Sequence, residues 1–305
     1  MMTALTLNDL PLPPSGKVGW PWTRQSQPLP ETMSDGSQWP CISIVTPSYN
    51  QGKFLEATIR SVLLQGYPNL EYIVIDGGST DGSLEIIKKY EKYLCYWHSK
   101  QDRGQADAIN QGLAKTSGEI LGWINSDDLY VRGTFGKIVK AFQTHPDYIV
   151  VHGNRILINE SGAVTGWFCL PPFDPKTHIY NVCSETAFWR RSAMQQTGLL
   201  NASLQFAMDL EFFGRLYKQG KFIKLNDYLG YFRCHSEHKS YTISYVGAEE
   251  ASKEWKQLFD TEYKTATSKT SLLNILKLSF ELLREPLLIG LPYIYYRFFL
   301  KNRTN

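Results

Sequence analysis

The sequence has no long apolar run, no large excess of either charge, and too few cysteines to build a framework. No stretch reaches the ~20 apolar residues that span a bilayer, so no membrane-spanning helix is expected. Thirty-two Lys and Arg stand against 29 Asp and Glu, a formal net charge of +3. With no dense Lys/Arg cluster, that balance excludes a phosphate-backbone tract, and no nucleic-acid partner is expected. The five cysteines, Cys41, Cys95, Cys169, Cys183 and Cys234, are odd in number and never spaced as Cys-x-x-Cys. Neither a disulfide framework nor a zinc site is indicated, and a reducing, cytoplasmic compartment is the simpler reading. Met1 to Leu12 lacks the basic and apolar segments of a secretory leader. Internal repeats are also missing.

What is there is ordinary globular composition over 305 residues, 43% of them hydrophobic, enough to bury a large core. Residues 1–39 are rich in Pro, Gly, Ser and Gln, with Trp20, Trp22 and Trp39 among them. They read as an extended arm pinned to the body by its tryptophans. From Cys41, strand-like runs alternate with helical patterns. Ile42–Thr46, Tyr72–Ile75, Leu94–His98 and Ile120–Ile124 read as strands. Phe54–Leu64, Leu84–Tyr93 and Ala106–Ala114 read as helices between them. Such alternation implies a mainly parallel sheet covered by helices. A helix is expected over 133–143, then a hairpin or mixed section from Tyr148–Val151 and Arg155–Ile158. A helix over 205–219, a strand Lys221–Leu225 and a helix over 246–265 follow. In 271–285, Leu273, Leu276, Phe280 and Leu283 share one helical face. Pro286 to Leu300 is apolar apart from Arg297 but short of a span.

Four loops after the strands carry candidate ligand chemistry. Parallel strands put those loops at the carboxyl edge of the sheet, where open α/β folds bind ligands. The first is Thr46-Pro-Ser-Tyr-Asn-Gln-Gly52, in which Tyr49 is suited to stack on a base. The second is Asp76-Gly-Gly-Ser-Thr-Asp-Gly82. Asp76 is placed to accept a ring N–H, while Asp81 fits a helix cap better than a ligand contact. The third, Asp102 to Gly112, offers Arg103 for phosphate and sets Asp107 and Asn110 one helical turn apart. The fourth is Asn125-Ser-Asp-Asp128. Two adjacent carboxylates repel unless a cation joins them, and a hard divalent ion carrying a diphosphate would do so. Alternation along the strand puts Asn125 and Asp127 on one side and Asp128 on the other.

In combination, Ser43–Asn50, Ile75–Gly82, Gly104–Gly112 and Gly118–Asp128 resemble the glycosyltransferase family 2 enzymes. The resemblance implies a GT-A (Rossmann-like) α/β fold over residues 40–245, followed by a helical region over 246–305. It implies an inverting transfer from a nucleotide-diphosphate sugar, UDP-sugar favoured, to a saccharide or lipid-linked hydroxyl acceptor. Pro47, Tyr49, Asn50, Asp76, Gly78, Gln105, Asp107, Asn125 and Ser126 would bind the nucleotide. Asp127 and His235 would hold Mn²⁺ or Mg²⁺. Asp209 would be the catalytic base, and Glu185, Thr186 and Trp189 would meet the acceptor or sugar. Arg103 and Lys239 are further candidates for the leaving group. Two departures stand out: Asn125 replaces the first carboxylate of an Asp-x-Asp motif, and Gly77 stands where many relatives carry a second Asp. A nucleotide-sugar pyrophosphorylase is the rival enzyme, but Ile42–Gly52 has no basic, glycine-rich triphosphate loop. A non-catalytic nucleotide-sugar-binding protein is the other. The 271–305 pattern suits a peripheral membrane contact or a dimer interface.

Overall fold

The computed structural model describes residues 4–237 and 244–263. The expected amphipathic helix at 271–285 and the segment after it lie outside the described residues, as does Lys239.

The sheet begins with runs apolar enough to be buried on both faces, the signature of parallel strands under helices. Strand β1, Ile42–Ser48, is buried at every position. Strand β2, Leu70–Asp76, is buried over its last five residues. Helix α1, Gly52–Leu63, connects them. Helix α2, Ser83–Tyr90, leads to the short strand β3, Tyr96–Ser99. Helix α3, Gln105–Leu113, leads to strand β4, Ile120–Trp123. β3, β2, β1 and β4 lie side by side, all parallel. Their following loops therefore meet at one edge.

Successive residues of these strands feed two cores. Ile42, Ile44, Val74 and Ile120 face one that includes Leu55, Ile59 and Phe135. Val45, Ile73, Ile75, Leu121 and Trp123 face another that includes Ile109, Phe212 and Phe213. This period-two partition is what a sheet sandwiched between helices requires.

The second half is antiparallel or mixed. Strand β5 is Leu129–Tyr130, helix α4 is Thr134–Thr144, strand β6 is Tyr148–Ile158 and strand β7 is Val164–Phe168. Then come β8, Phe188–Arg190; α5, Arg191–Thr197; α6, Met208–Tyr217; β9, Lys221–Arg233; and α7, Ser244–Phe259. The strand order is β3-β2-β1-β4-β8-β6-β9-β5, with β7 on β6. β5 closes the far end of this order yet follows β4 in the chain, so the sheet curls back on itself. The loop 125–128 bridges the curl.

Of the hairpin or mixed section expected from Tyr148–Val151 and Arg155–Ile158, the mixed section is what forms: both runs lie in one continuous strand, parallel to β9 and antiparallel to β7 and β8. Gly153-Asn154 does not turn the chain; it marks a register shift against β9. A Cβ on Gly153 would meet the Asp227 carbonyl oxygen at 2.8 Å and Leu229 Cδ1 at 2.6 Å. Glycine is there to let two strands approach, as at a bulge. β6 then turns into β7. The strand expected to stop at Leu225 continues to Arg233, because β6 and β5 supply partners along its length.

Residues 4–39 contain no helix or strand segment, yet they are anchored. Arg60 on α1 is fully buried. Its guanidinium donates to the carbonyls of Pro11 at 2.7 Å, Pro21 at 3.0 Å and Trp22 at 3.1 Å, and to the Tyr90 hydroxyl at 2.9 Å. Trp20 donates its indole N–H to the Tyr130 carbonyl at 2.9 Å.

Candidate active site

The four loops at the carboxyl edge are tied to one another by hydrogen bonds. Asn50 adopts a left-handed backbone, φ 51°, which asparagine tolerates better than most residues. Its N–H donates to Ser79 Oγ at 2.7 Å, and its Oδ1 accepts from the Thr80 N–H at 2.9 Å. Asp81 accepts from the Gly52 N–H at 2.7 Å and from Ser83, joining the starts of α1 and α2. Asp76 is fully buried and accepts from the Gly78 N–H, the Ser79 N–H and hydroxyl, and the Ser99 hydroxyl. Gln105 donates its amide to Asn125 Oδ1 at 2.7 Å, linking the third loop to the fourth.

A cleft of roughly 940 Å³ opens over this edge and extends to the second half of the sheet. Pro47, Tyr49, Gly78, Gln105, Asn125, Ser126, Asp127, Glu185 and Asp209 all line it. The chain brings these nine together from positions more than 160 residues apart. Six other expected residues do not line it. Asp76 and Asn50 spend their polar atoms on the loops. Asp107 is paired with Arg103 at 2.7 Å and accepts from Gln111; Arg103 points to it rather than into the cleft. Thr186 is fully buried and hydrogen-bonds the Gly153 and Cys183 carbonyls. Trp189 is fully buried against Trp123 at 5.2 Å and Phe212 at 5.3 Å, so it has no face to offer a sugar. His235 is buried behind Asp127.

That last contact sets two groups that could ligate a metal side by side. His235 Nε2 lies 3.0 Å from Asp127 Oδ2. A carboxylate oxygen beside an imidazole nitrogen suits Mn²⁺ or Mg²⁺ that takes its remaining ligands from phosphate and water. Among the described residues no group of three or more His, Cys, Asp or Glu is arranged to hold an ion, so the protein's share would be two ligands. Asp128 is not a third. It is fully buried, accepts from the Arg233 N–H at 2.9 Å, and is held well above the usual carboxylate range by burial and by Asp127 and Glu185. The Thr58 hydroxyl, from α1, lies 2.7 Å from its carbonyl and 2.8 Å from that of Ser126, which fixes the loop.

Asp209 occupies the first turn of α6. Helix N-termini favour carboxylate charge, but burial dominates here and pushes the carboxyl up to about 6, with the Glu185 charge adding to the rise. Phe206 and Met208 line the same wall. The group is therefore ionised near neutrality and more basic than an exposed carboxylate, which is what a general base needs.

Several lining residues carry no motif. Among the described residues Arg155 is the one cation of the cleft wall, against five carboxylates at Asp102, Asp127, Glu185, Asp209 and Glu237. Its guanidinium lies 4.4 Å from the Phe232 ring centroid, 5.3 Å from that of Phe168, and 3.5 Å from Glu185. A charge in the strand pattern Arg155-Ile-Leu-Ile158 was its one signal. Tyr180, Ser184 and Asp102 also line the cleft; Asp102 opens the third loop and Ser184 adjoins Glu185, so of the three only Tyr180 lay outside a motif.

Comparison with known proteins agrees with this geometry. Residues 43–194 match the model of the family "Glycosyl transferase family 2". A Mycobacterium tuberculosis glycosyltransferase, itself uncharacterised, is 40% identical over 92 residues, 30% of this chain and 35% of the relative. Bacillus subtilis TuaG, provisionally named a teichuronic acid biosynthesis glycosyltransferase, is 35% identical over 101 residues, 32% of this chain and 40% of its own length. The chain thus aligns with well under two thirds of these relatives. Staphylococcus aureus TarS 1–349 in complex with UDP-GlcNAc superposes with a TM-score of 0.56 at 20% identity, over 72% of this chain and 65% of that one. Pyrobaculum calidifontis PcManGT in complex with GDP-Man and Mn²⁺ gives 0.56 at 18% identity, over 74% and 66%. With its motifs on four neighbouring loops and a curled, mainly parallel sheet beneath them, the chain belongs to glycosyltransferase family 2 and has a GT-A fold.

Proposed function

We propose that this protein is an inverting glycosyltransferase that moves a sugar from a nucleotide-diphosphate donor, UDP-sugar by preference, to a hydroxyl acceptor in polysaccharide or glycolipid assembly. The observation that carries the reading is Asp209: a carboxyl desolvated to about 6 in the same cleft as Asp127 and the nucleotide loops. The acceptor hydroxyl binds beside Asp209, which takes its proton as the oxygen attacks the anomeric carbon. The bond to the diphosphate breaks with its electron pair leaving on the phosphate oxygen. One displacement from the opposite face inverts the centre and needs no covalent enzyme intermediate.

The charge of the cleft explains why a divalent cation belongs in this reading. Among the described residues the wall carries five carboxylates and one arginine, a balance that repels a diphosphate. Asp127 and His235 would hold Mn²⁺ or Mg²⁺, which would offset the donor's charge and stabilise the leaving group. Gln105 and Asn125, already bonded to each other, would serve the ribose and phosphate side. The TarS structure holds UDP-GlcNAc, the PcManGT structure holds GDP-Man and Mn²⁺, and TuaG is named for teichuronic acid biosynthesis. These relatives support a nucleotide sugar and a polymer acceptor without choosing between them.

Thermal unfolding with a panel of UDP-, GDP- and dTDP-sugars tests the donor. A site that binds only the native state raises the melting temperature by mass action. The expected result is stabilisation by at least one UDP-sugar with Mn²⁺ and much less without it. No shift from any member, with or without metal, would remove the donor reading.

A further inference from the structure

The nucleotide end of the cleft contains a carboxylate that no motif reading assigns. Asp76, expected to meet the base, has hydrogen-bond donors on both oxygens and does not line the cleft. Asp102, from the loop after β3, does line it. Its Oδ1 accepts from the Gly104 N–H at 2.8 Å, and no hydrogen bond reaches its Oδ2 among the described residues.

The position of Asp102 depends on its neighbour. A Cβ built on Gly77 would sit 2.7 Å from Asp102 Oδ2 and 3.2 Å from its Cγ. Any side chain at 77 would displace that carboxylate. Gly77 carries no positive φ, so the turn itself does not demand glycine; the space does. Thus the carboxyl of Asp102 occupies the room that the side chain of residue 77 would otherwise fill. Burial, followed by the charges of Asp107 and Asp76, holds Asp102 above the usual carboxylate range, the mark of an acceptor short of donors.

Two more observations place a base there. Tyr49, 64% exposed, stands on the adjoining loop. The Ser48 hydroxyl is 3% exposed and has no hydrogen-bond partner. In the sheet, β3 lies three strand spacings from β4, about 14 Å. A nucleoside whose diphosphate sits at Asp127, after β4, extends across a comparable length.

We infer that Asp102 reads the donor's base by accepting a ring N–H at Oδ2, and that residue 77 is glycine to make room for it. The inference rests on the proposed nucleotide-sugar function. A carboxylate can only accept. Uracil and thymine present N3–H and guanine presents N1–H, whereas cytosine N3 and adenine N1 are lone pairs that a carboxylate repels. Asp102 therefore selects bases with a ring N–H on that edge.

Calorimetric titration of UDP, GDP, CDP and ADP, each with Mn²⁺, into wild type, Asp102→Asn and Gly77→Ala tests this. Wild type should bind UDP or GDP at least about tenfold tighter than CDP and ADP. Asp102→Asn supplies an amide that both donates and accepts, so its UDP-to-CDP preference should fall to within about threefold. Gly77→Ala should do the same by displacing the carboxylate, with the melting temperature little changed because the clash is with a side-chain end. An unchanged UDP-to-CDP ratio in Asp102→Asn would overturn the inference while leaving the donor reading intact. Absence of binding by any nucleoside diphosphate to wild type would overturn both.

Discussion

Asp209, Asp128 and Asp102 are all carboxyls that burial holds above their ordinary range, and they differ in what surrounds them. Asp128 is sealed and bonded to the Arg233 backbone, a structural role. Asp209 opens on the cleft. Its carboxyl near 6, against an ordinary 3.8, binds a proton more readily in the folded chain than in the unfolded one between about pH 4 and 6. The native state therefore loses stability as pH rises through that window, and the loss is complete above about 6. Asp209→Asn removes the penalty. Thermal unfolding should show this variant more stable than wild type above pH 6, by about 3 kcal/mol at most, with no gain below about pH 4. Equal stability at pH 7.5 would mean that the carboxyl is solvated and unfit as a base. Such a gain on removal is the usual sign of a group kept for function at a cost in stability.

At the scale of elements, α1 connects the arm to the 125–128 loop. One face buries Arg60, which binds three arm carbonyls; Thr58, two residues earlier, holds the carbonyls of the 125–128 loop. Arg60→Met leaves those arm carbonyls without their donor. The expected loss is about 2–4 kcal/mol, since unsatisfied buried acceptors cost about 1–3 kcal/mol each and the arm can partly relax into water. Trypsin should then cut at Lys17 or Arg24 faster than in wild type, at a temperature where both are folded. Unchanged cleavage would show that Arg60 does not anchor the arm. Sequence patterning located β1 to β4 and their helices within a few residues, because burial on both faces writes continuous apolar runs. It read β6 as two runs, Tyr148–Val151 and Arg155–Ile158, and ended β9 at Leu225, short of Arg233. Both strands are sustained by partners distant in the chain, and local pattern does not record partners.

At the scale of the molecule, the curl of the sheet brings Asp209, Glu185 and Arg155 into one cleft with the four loops of the carboxyl edge. The loops themselves were legible, since Gly, Asp and Asn after apolar runs have few other uses in such order. Asp127 was reached from the alternation along its strand and Asp209 through resemblance, and the geometry puts them in one cleft. Arg155 and Asp102 were not legible as site residues: Arg155 depends on the pairing of β6 with β9, and Asp102 on a space left by Gly77. Trp189 shows the converse error, an aromatic beside a promising loop whose strand turns it into the core. Among the described residues no helix is long and apolar enough to cross a membrane.

The central claim is that one cleft binds a nucleotide sugar and uses Asp209 to deprotonate the acceptor. Its most direct test is donor binding and sugar transfer measured together in wild type and Asp209→Asn, with the UDP-sugar that stabilises the protein and Mn²⁺. The account predicts donor affinity within about threefold of wild type and transfer reduced by at least about 10³-fold, as expected when a general base is lost. In wild type, the transfer rate should fall as pH drops through about 6. Transfer by Asp209→Asn at a rate close to that of wild type would contradict it.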